Sequence, residues 1–173
     1  MQVQMETIIK PKNNLKALFS SKKMDWETSD AFFARLSEKW HFTLDPCANP
    51  LNTKCAKYFT EEDDGLTQDW GGHTAFVNPP YGRQIGKWVK KCYEESHKPN
   101  TTVVMLIPSR TDTKYWHRYV MKASEIFFVK GRIKFVDNGV ASPAPFPSAV
   151  VVFRHDAWHT PNQMPTLGVV ENV

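Results

Sequence analysis

Residues 102–107 read Thr102-Val103-Val104-Met105-Leu106-Ile107, and Pro108 closes the run. The run has no polar alternation, which is the pattern of a strand covered on both faces. Upstream, Thr74-Ala75-Phe76-Val77 is a second apolar run. Between the two, residues Ile85 to Ser96 place Ile85, Trp88, Val89 and Cys92 at helical spacing. Further upstream, Ser29 or Asp30 can cap a helix over Ala31 to Trp40, with Phe32, Phe33, Leu36 and Trp40 on its apolar face. His41-Phe42-Thr43-Leu44 predicts a short strand ending at Asp45-Pro46. Asn52 to Lys57 predicts a short helix, and Tyr58-Phe59-Thr60 another strand. Downstream, Lys114 to Met121 predicts a helix. Glu125 to Val129 and Ser148 to Phe153 predict two strands with no helix between them. Gly131, Asn138-Gly139 and Ser142 to Pro147 predict a long irregular connection there. Strands alternating with helices give an α/β class with a mostly parallel sheet, and the last two strands an antiparallel pair at one edge.

The length of 173 residues suits one domain with a single core. Residues 1–23 carry five Lys against one Glu and read as a basic flexible arm; 24–155 form the domain, and 156–173 read as a loosely ordered tail. Residues 24–82 hold ten acids against four bases, and 83–173 thirteen bases against seven acids. An acidic first half suits a cationic small ligand, and a basic second half suits a polyanion. No apolar run reaches the 18 or so residues that span a bilayer, and the first residues lack the apolar stretch of a secretory signal. Cys47, Cys55 and Cys92 form no C-x-x-C pair, which predicts a reduced cytoplasmic setting and no metal site. The sequence leaves monomer and homodimer both open.

Asn78-Pro79-Pro80-Tyr81 lies between the run ending at Val77 and the helix beginning near Ile85. Ligands of open α/β sheets bind at the carboxyl ends of strands, so this tetrad sits where chemistry is expected. Two prolines fix φ and remove two donors. A side-chain amide and a backbone carbonyl are thereby held in fixed relation. That pairing suits methyl transfer to an aromatic amine, whose lone pair is delocalised into the ring. The Asn78 side-chain oxygen and the Pro79 carbonyl could accept the two amine hydrogens and favour a tetrahedral nitrogen, provided they bind the transition state better than the ground state. Tyr81 could stack on the base, and a duplex base would have to be flipped out to arrive.

With these residues the chain resembles the phage-type DNA N6-adenine methyltransferases, over roughly residues 24–154. The matching strings are Asp25-Trp26-Glu27-Thr28, Leu44-Asp45-Pro46-Cys47-Ala48, Tyr58-Phe59-Thr60, Asp64-Gly65-Leu66 with Trp70, and Asn78-Pro79-Pro80-Tyr81-Gly82. After them come Leu106 to Thr113, Gly131-Arg132-Ile133-Lys134-Phe135 and Phe146-Pro147-Ser148-Ala149. The resemblance implies a Rossmann-like class I methyltransferase fold with helices on both faces. It also implies S-adenosyl-L-methionine as cofactor, DNA as partner, and a part in evading restriction. It places Asp45, Pro46 and Cys47 in the first cofactor loop, although the usual glycine-rich form of that loop is absent. Trp26 and Thr28 fall in the segment that closes over the cofactor. Glu61, Asp63 and Asp64 fall where acids meet its ribose and adenine, Asp64 for the adenine amine and Glu61 for the ribose. Arg110, Lys130, Arg132 and Lys134 are expected at phosphates, and Phe135 at the flipped base. Two other readings stand beside it. One is methylation of a glutamine amide in a protein, which the same tetrad can serve. The other is a DNA-binding module that keeps the fold without the reaction.

Overall fold

The structure is a computed structural model and describes residues 26–137, 140–156 and 164–172. The predicted arm, residues 1–23, lies outside the described residues. A two-residue strand β1 (Glu27–Thr28) leads into helix α1 (Asp30–Trp40). Ser29 is the cap: its hydroxyl accepts the Phe32 N–H at 3.4 Å, and His41 ends the helix in the left-handed region. Strands β2 (Leu44–Asp45), β3 (Lys57–Tyr58) and β4 (Thr74–Val77) follow, then helix α2 (Ile85–Glu95). Strand β5 (Thr102–Pro108) precedes a short helix α3 (Lys114–Arg118) and a 3-10 turn at Val120–Lys122. The rest is strand: β6 (Glu125–Lys130), β7 (Lys134–Asp137), β8 (Val140–Pro143), β9 (Ser148–Arg154) and β10 (Thr166–Glu171).

Seven strands form one sheet in the order β10-β6-β9-β5-β4-β2-β3. Strand β9 runs antiparallel to both neighbours, and every other pairing is parallel. Val103 to Ile107 of β5 are fully buried, as the unbroken apolar run requires. Registers show what covers each face. Ala75, Val103 and Phe153 share a rung, and Phe153 meets Tyr93 of α2, ring centroids 6.3 Å apart. Phe76, one residue on, points to the other face and meets Phe33 of α1 at 5.1 Å. Trp40 of α1 reaches Phe127 of β6 on that same face. The sheet therefore carries α1 on one side and α2 on the other. This is the Rossmann-like methyltransferase layout.

Four local expectations change. The irregular connection between β6 and β9 is a second, antiparallel sheet in the order β1-β7-β8. Asn138 and Gly139 separate β7 from β8 and lie outside the described residues. The antiparallel pair is not at the edge: β9 inserts between β5 and β6, and β10 covers the far side of β6. That edge strand comes from the stretch read as a loose tail, paired from Thr166↔Glu125 to Glu171↔Lys130. Finally, residues 52–56 form a turn and bends rather than a helix, and Lys57 already belongs to β3. The Asn49 side chain accepts the N–H groups of Leu51 and Asn52, a local alternative to helical bonding. Among the described residues no helix is long and apolar enough to cross a membrane.

One buried ion network ties α2 to the loop before β4. Glu95 is 4% exposed. Its carboxylate accepts the Trp70 N–H at 2.9 Å and pairs with Lys91 at 2.5 Å and Lys98 at 2.6 Å. Burial pushes the Glu95 carboxyl up, but the bonds from Lys91, Lys98 and Trp70 outweigh it, and its pKa lies below the usual value. The stability it contributes is thus present above the unfolded glutamate pKa and is lost as pH falls through the lowered folded value. Glu95→Ala strands an N–H and a largely buried Lys91 ammonium, and should cost about 3 kcal/mol in urea unfolding at neutral pH. The gap from wild type should narrow in acid.

Candidate active site

Asn78 follows β4 directly, at the carboxyl end of the parallel strands. Its amide is held at three points. The Nδ2 group donates to the Trp26 carbonyl at 2.5 Å and to Thr28 Oγ1 at 2.9 Å, and Oδ1 accepts the Tyr81 hydroxyl at 2.7 Å. A backbone carbonyl can only accept, so the Trp26 contact fixes which end of the amide is nitrogen. Both amide hydrogens are then used, and among the described residues Oδ1 accepts from Tyr81 alone, which leaves its second lone pair for a ligand. Asn78 itself is half-buried, Pro79 is buried and Pro80 half-buried.

The leading segment is thereby part of the site. Thr28 is 2% exposed and pairs with Phe135 across the second sheet. Trp26 packs on Phe135 at 5.5 Å and on Phe146 at 5.7 Å. Tyr81 meets the same two rings edge-on, at 6.1 and 5.6 Å. Tyr81 and Phe135, both expected at the base, are 6% and 1% exposed and sit inside this cluster. Burial raises the Tyr81 phenol well above its usual pKa, helped by the neighbouring Cys47 and Tyr115, so it stays protonated.

The loop after β2 adjoins Asn78. The Asn78 backbone N–H faces the Cys47 thiol, whose pKa is driven well up by burial and by Asp45. Asp45 is 5% exposed. Its carboxylate accepts the Lys54 N–H at 3.1 Å and, more weakly, the Cys47 N–H at 3.4 Å. Desolvation still leaves its pKa above 3.8. The Lys54 ammonium turns away to Asp30 at 2.6 Å and Glu27 at 3.7 Å, which joins this loop to β1 and α1.

The acidic cluster arrives beside the same loop. Gly65 is packed so closely that a Cβ there would lie 2.0 Å from the Pro46 carbonyl oxygen and 3.2 Å from Trp88. Trp70, fully buried, donates its indole N–H to the Gly65 carbonyl at 3.0 Å and stacks on Trp88. Asp64-Gly65-Leu66 and Trp70 are thereby joined in one packed unit. Glu61, Asp63 and Asp64 are exposed. Asp63 caps its own turn, accepting the N–H and hydroxyl of Thr60, which lowers its pKa. Asp64, at φ 50°, accepts the Leu66 N–H.

The basic residues divide. Arg110, Arg132 and Lys134 are exposed and form no ion pair among the described residues, whereas Lys130 pairs with Glu171 at 3.2 Å. Sequence reasoning missed the parts played by Lys54 and Phe146. Phe146 stands in a quoted string, but only the folded cluster gives it a role. Lys54 carries no motif at all.

The fold is of the Rossmann-like methyltransferase class. A family model described as DNA N-6-adenine-methyltransferase (Dam) matches residues 16–167. The chain belongs to that family. A DNA N-6-adenine-methyltransferase of Haemophilus phage HP1 (strain HP1c1) is 38% identical over 98 residues, 56% of this chain and 56% of its own. One of Escherichia phage T1 is 29% identical over 107 residues, 61% of this chain and 44% of its own. The chain thus spans about half the length of these curated relatives.

Gly65→Ala should force the Asp45 and Asp64 loops apart, because the obstructing atom is backbone and cannot swing aside. The expected cost is about 1–3 kcal/mol, read as a fall of roughly 3–10 °C in thermal midpoint.

Proposed function

We propose that the chain transfers a methyl group from S-adenosyl-L-methionine to N6 of adenine in DNA, in the cytoplasm of the cell that holds that DNA. The observation that carries this is the three-point hold on Asn78, which leaves a single acceptor valence on Oδ1 at the carboxyl end of β4. An amine hydrogen donated to that lone pair, and a second to the Pro79 carbonyl, draw electron density back onto nitrogen. The acceptors are preset, so little reorganisation accompanies the reaction.

The residues beside Asn78 fit the cofactor. Among the described residues the buried Asp45 carboxylate accepts two backbone N–H groups, while the Lys54 ammonium, near enough to lower the Asp45 pKa somewhat, makes its ion pairs with Asp30 and Glu27. Burial outweighs these contacts and raises the Asp45 pKa, so a further cation such as the ammonium of a methionine moiety would favour the carboxylate there. Asp64 and Glu61 remain the acids for the adenosine amine and ribose. The cofactor supplies an electrophilic methyl on a sulfonium. Thr28 and Trp26 hold the acceptor amide, and the buried rings around them exclude water from it. On the DNA side, the extruded adenine costs a few kcal/mol of unstacking. Arg110, Arg132 and Lys134, exposed and without an ion pair among the described residues, answer phosphates; Lys130 joins them by leaving Glu171. Phe135 supports the base site from within the cluster.

Wild-type protein should incorporate tritiated methyl into DNA, and Asn78→Ala should lower this at least about a hundredfold while calorimetry still shows cofactor binding. Label in protein instead of DNA would overturn the reading. In a salt titration of DNA affinity, Arg132→Ala should reduce the slope of log K against log salt by about 1; an unchanged slope removes Arg132 from the interface.

A further inference from the structure

We propose that Lys54 is a positioning residue that couples the two halves of the site, so that a cation at Asp45 tightens the hold on the Asn78 amide. The inference rests on the reading of Asp45 as the partner of the cofactor ammonium and of Asn78 as the acceptor for the amine. Three observations carry it.

First, Lys54 touches both halves with different groups. Its backbone N–H donates to Asp45 Oδ2 at 3.1 Å. Its ammonium lies 2.6 Å from Asp30 Oδ1 and 3.7 Å from Glu27 Oε1. Second, those two acids stand on either side of Thr28, whose hydroxyl accepts from the Asn78 amide at 2.9 Å. Glu27 also follows Trp26 directly, and the Trp26 carbonyl accepts the other amide hydrogen. A cation placed there grips the two-residue strand that holds the amide. Third, the lysine is built in. Its side chain is 11% exposed, against 95% for Asp30. Its backbone is spanned by a turn in which the Thr53 hydroxyl donates to the Cys55 carbonyl at 2.9 Å and accepts the Cys55 N–H at 3.3 Å.

A cation at Asp45 favours the ionised carboxylate, and an ionised acceptor binds the Lys54 N–H more tightly. That steadies the Lys54 backbone, and through it the ammonium and β1. Linkage makes the effect reciprocal: a steadied β1 favours the cation at Asp45 by the same factor. A lysine that acted only as a neighbouring charge would do the opposite. Removing it would relieve repulsion and tighten cation binding at Asp45.

S-adenosylhomocysteine carries the same ammonium without a transferable methyl, so its binding is read without turnover. In protein labelled with 15N-asparagine, the Asn78 side-chain signal is the one lost in Asn78→Asp. In wild type its amide hydrogens should exchange about two- to fivefold more slowly once this ligand is bound, the range of a modest ion pair. Lys54→Met should abolish the slowing and weaken the ligand by the same factor in calorimetry. Lys54→Arg, which returns the charge, should restore both. Glu27→Gln combined with Asp30→Asn, which alters the partners and leaves Lys54 in place, should match Lys54→Met. Slowing that persists in Lys54→Met, or tighter binding there, would overturn the inference, as would a bound wild type with no slowing. No binding to wild type would overturn the cofactor reading and the inference with it. Wild-type label found in protein rather than DNA would overturn the proposed substrate alone, because the exchange measurement needs no DNA.

Discussion

A side-chain amide has two donors and a two-lone-pair acceptor, and at Asn78 all but one of these valences is spent inside the protein. The partners come from three places, the carbonyl before β1, a β1 hydroxyl and a phenol just beyond β4, and behind that phenol stands a carbonyl of β5. The amide is therefore where the two sheets meet. Strand β1 is only two residues long and would not persist on two ladder rungs alone. It is kept by β7, by α1 immediately after it, by the Lys54 ammonium and by the aromatic cluster behind it. The reactive geometry thus depends on contacts that have no chemistry of their own.

The strands that a reader can find in this sequence are those whose residues leave no choice. Strands β5 and β9 are seven residues each, apolar through the middle with both faces covered, and β4 is shorter but bounded by Asn78-Pro79. Strands β2 and β3 are two residues each, too short for any period to register, and they exist because β4 offers β2 an edge and β2 in turn offers one to β3. The β7–β8 hairpin does carry a signal, Asn138-Gly139 between short runs, but the prolines at 143, 145 and 147 argue for loop more loudly. Strand β10 alternates between exposed and half-buried residues, with Leu167 and Val169 more than 60% exposed. Its apolar side chains are thus no guide to a core face. Asn78 was legible because two prolines after a buried strand have few other uses. The bonds of Trp26 and Thr28 to Asn78 were not, since these residues lie some fifty positions away and their string points to the cofactor rather than to the tetrad.

Charge tells a similar story. The excess of bases in the second half suits a polyanion, yet several of those bases are committed internally. Lys90 answers Glu94, Lys98 answers Glu95 and Asp69, and Arg154 answers Glu125. Net charge by segment counts these alongside Arg110, Arg132 and Lys134, which are exposed without such partners among the described residues. A count cannot separate structural from available charge; only pairing in the fold does.

The contacts around Asn78 also impose an order of assembly. Thr28 pairs with Phe135, more than a hundred residues later in the chain, while β4 and β5 need only the α2 crossover between them to meet. Closing so long a loop is entropically demanding and waits on the rest of the domain. The parallel strands can therefore form first, with Asn78 present but its amide free to rotate. A half-folded chain would display the right four residues and have no competence, which makes the arrangement a late checkpoint on folding as well as a piece of chemistry.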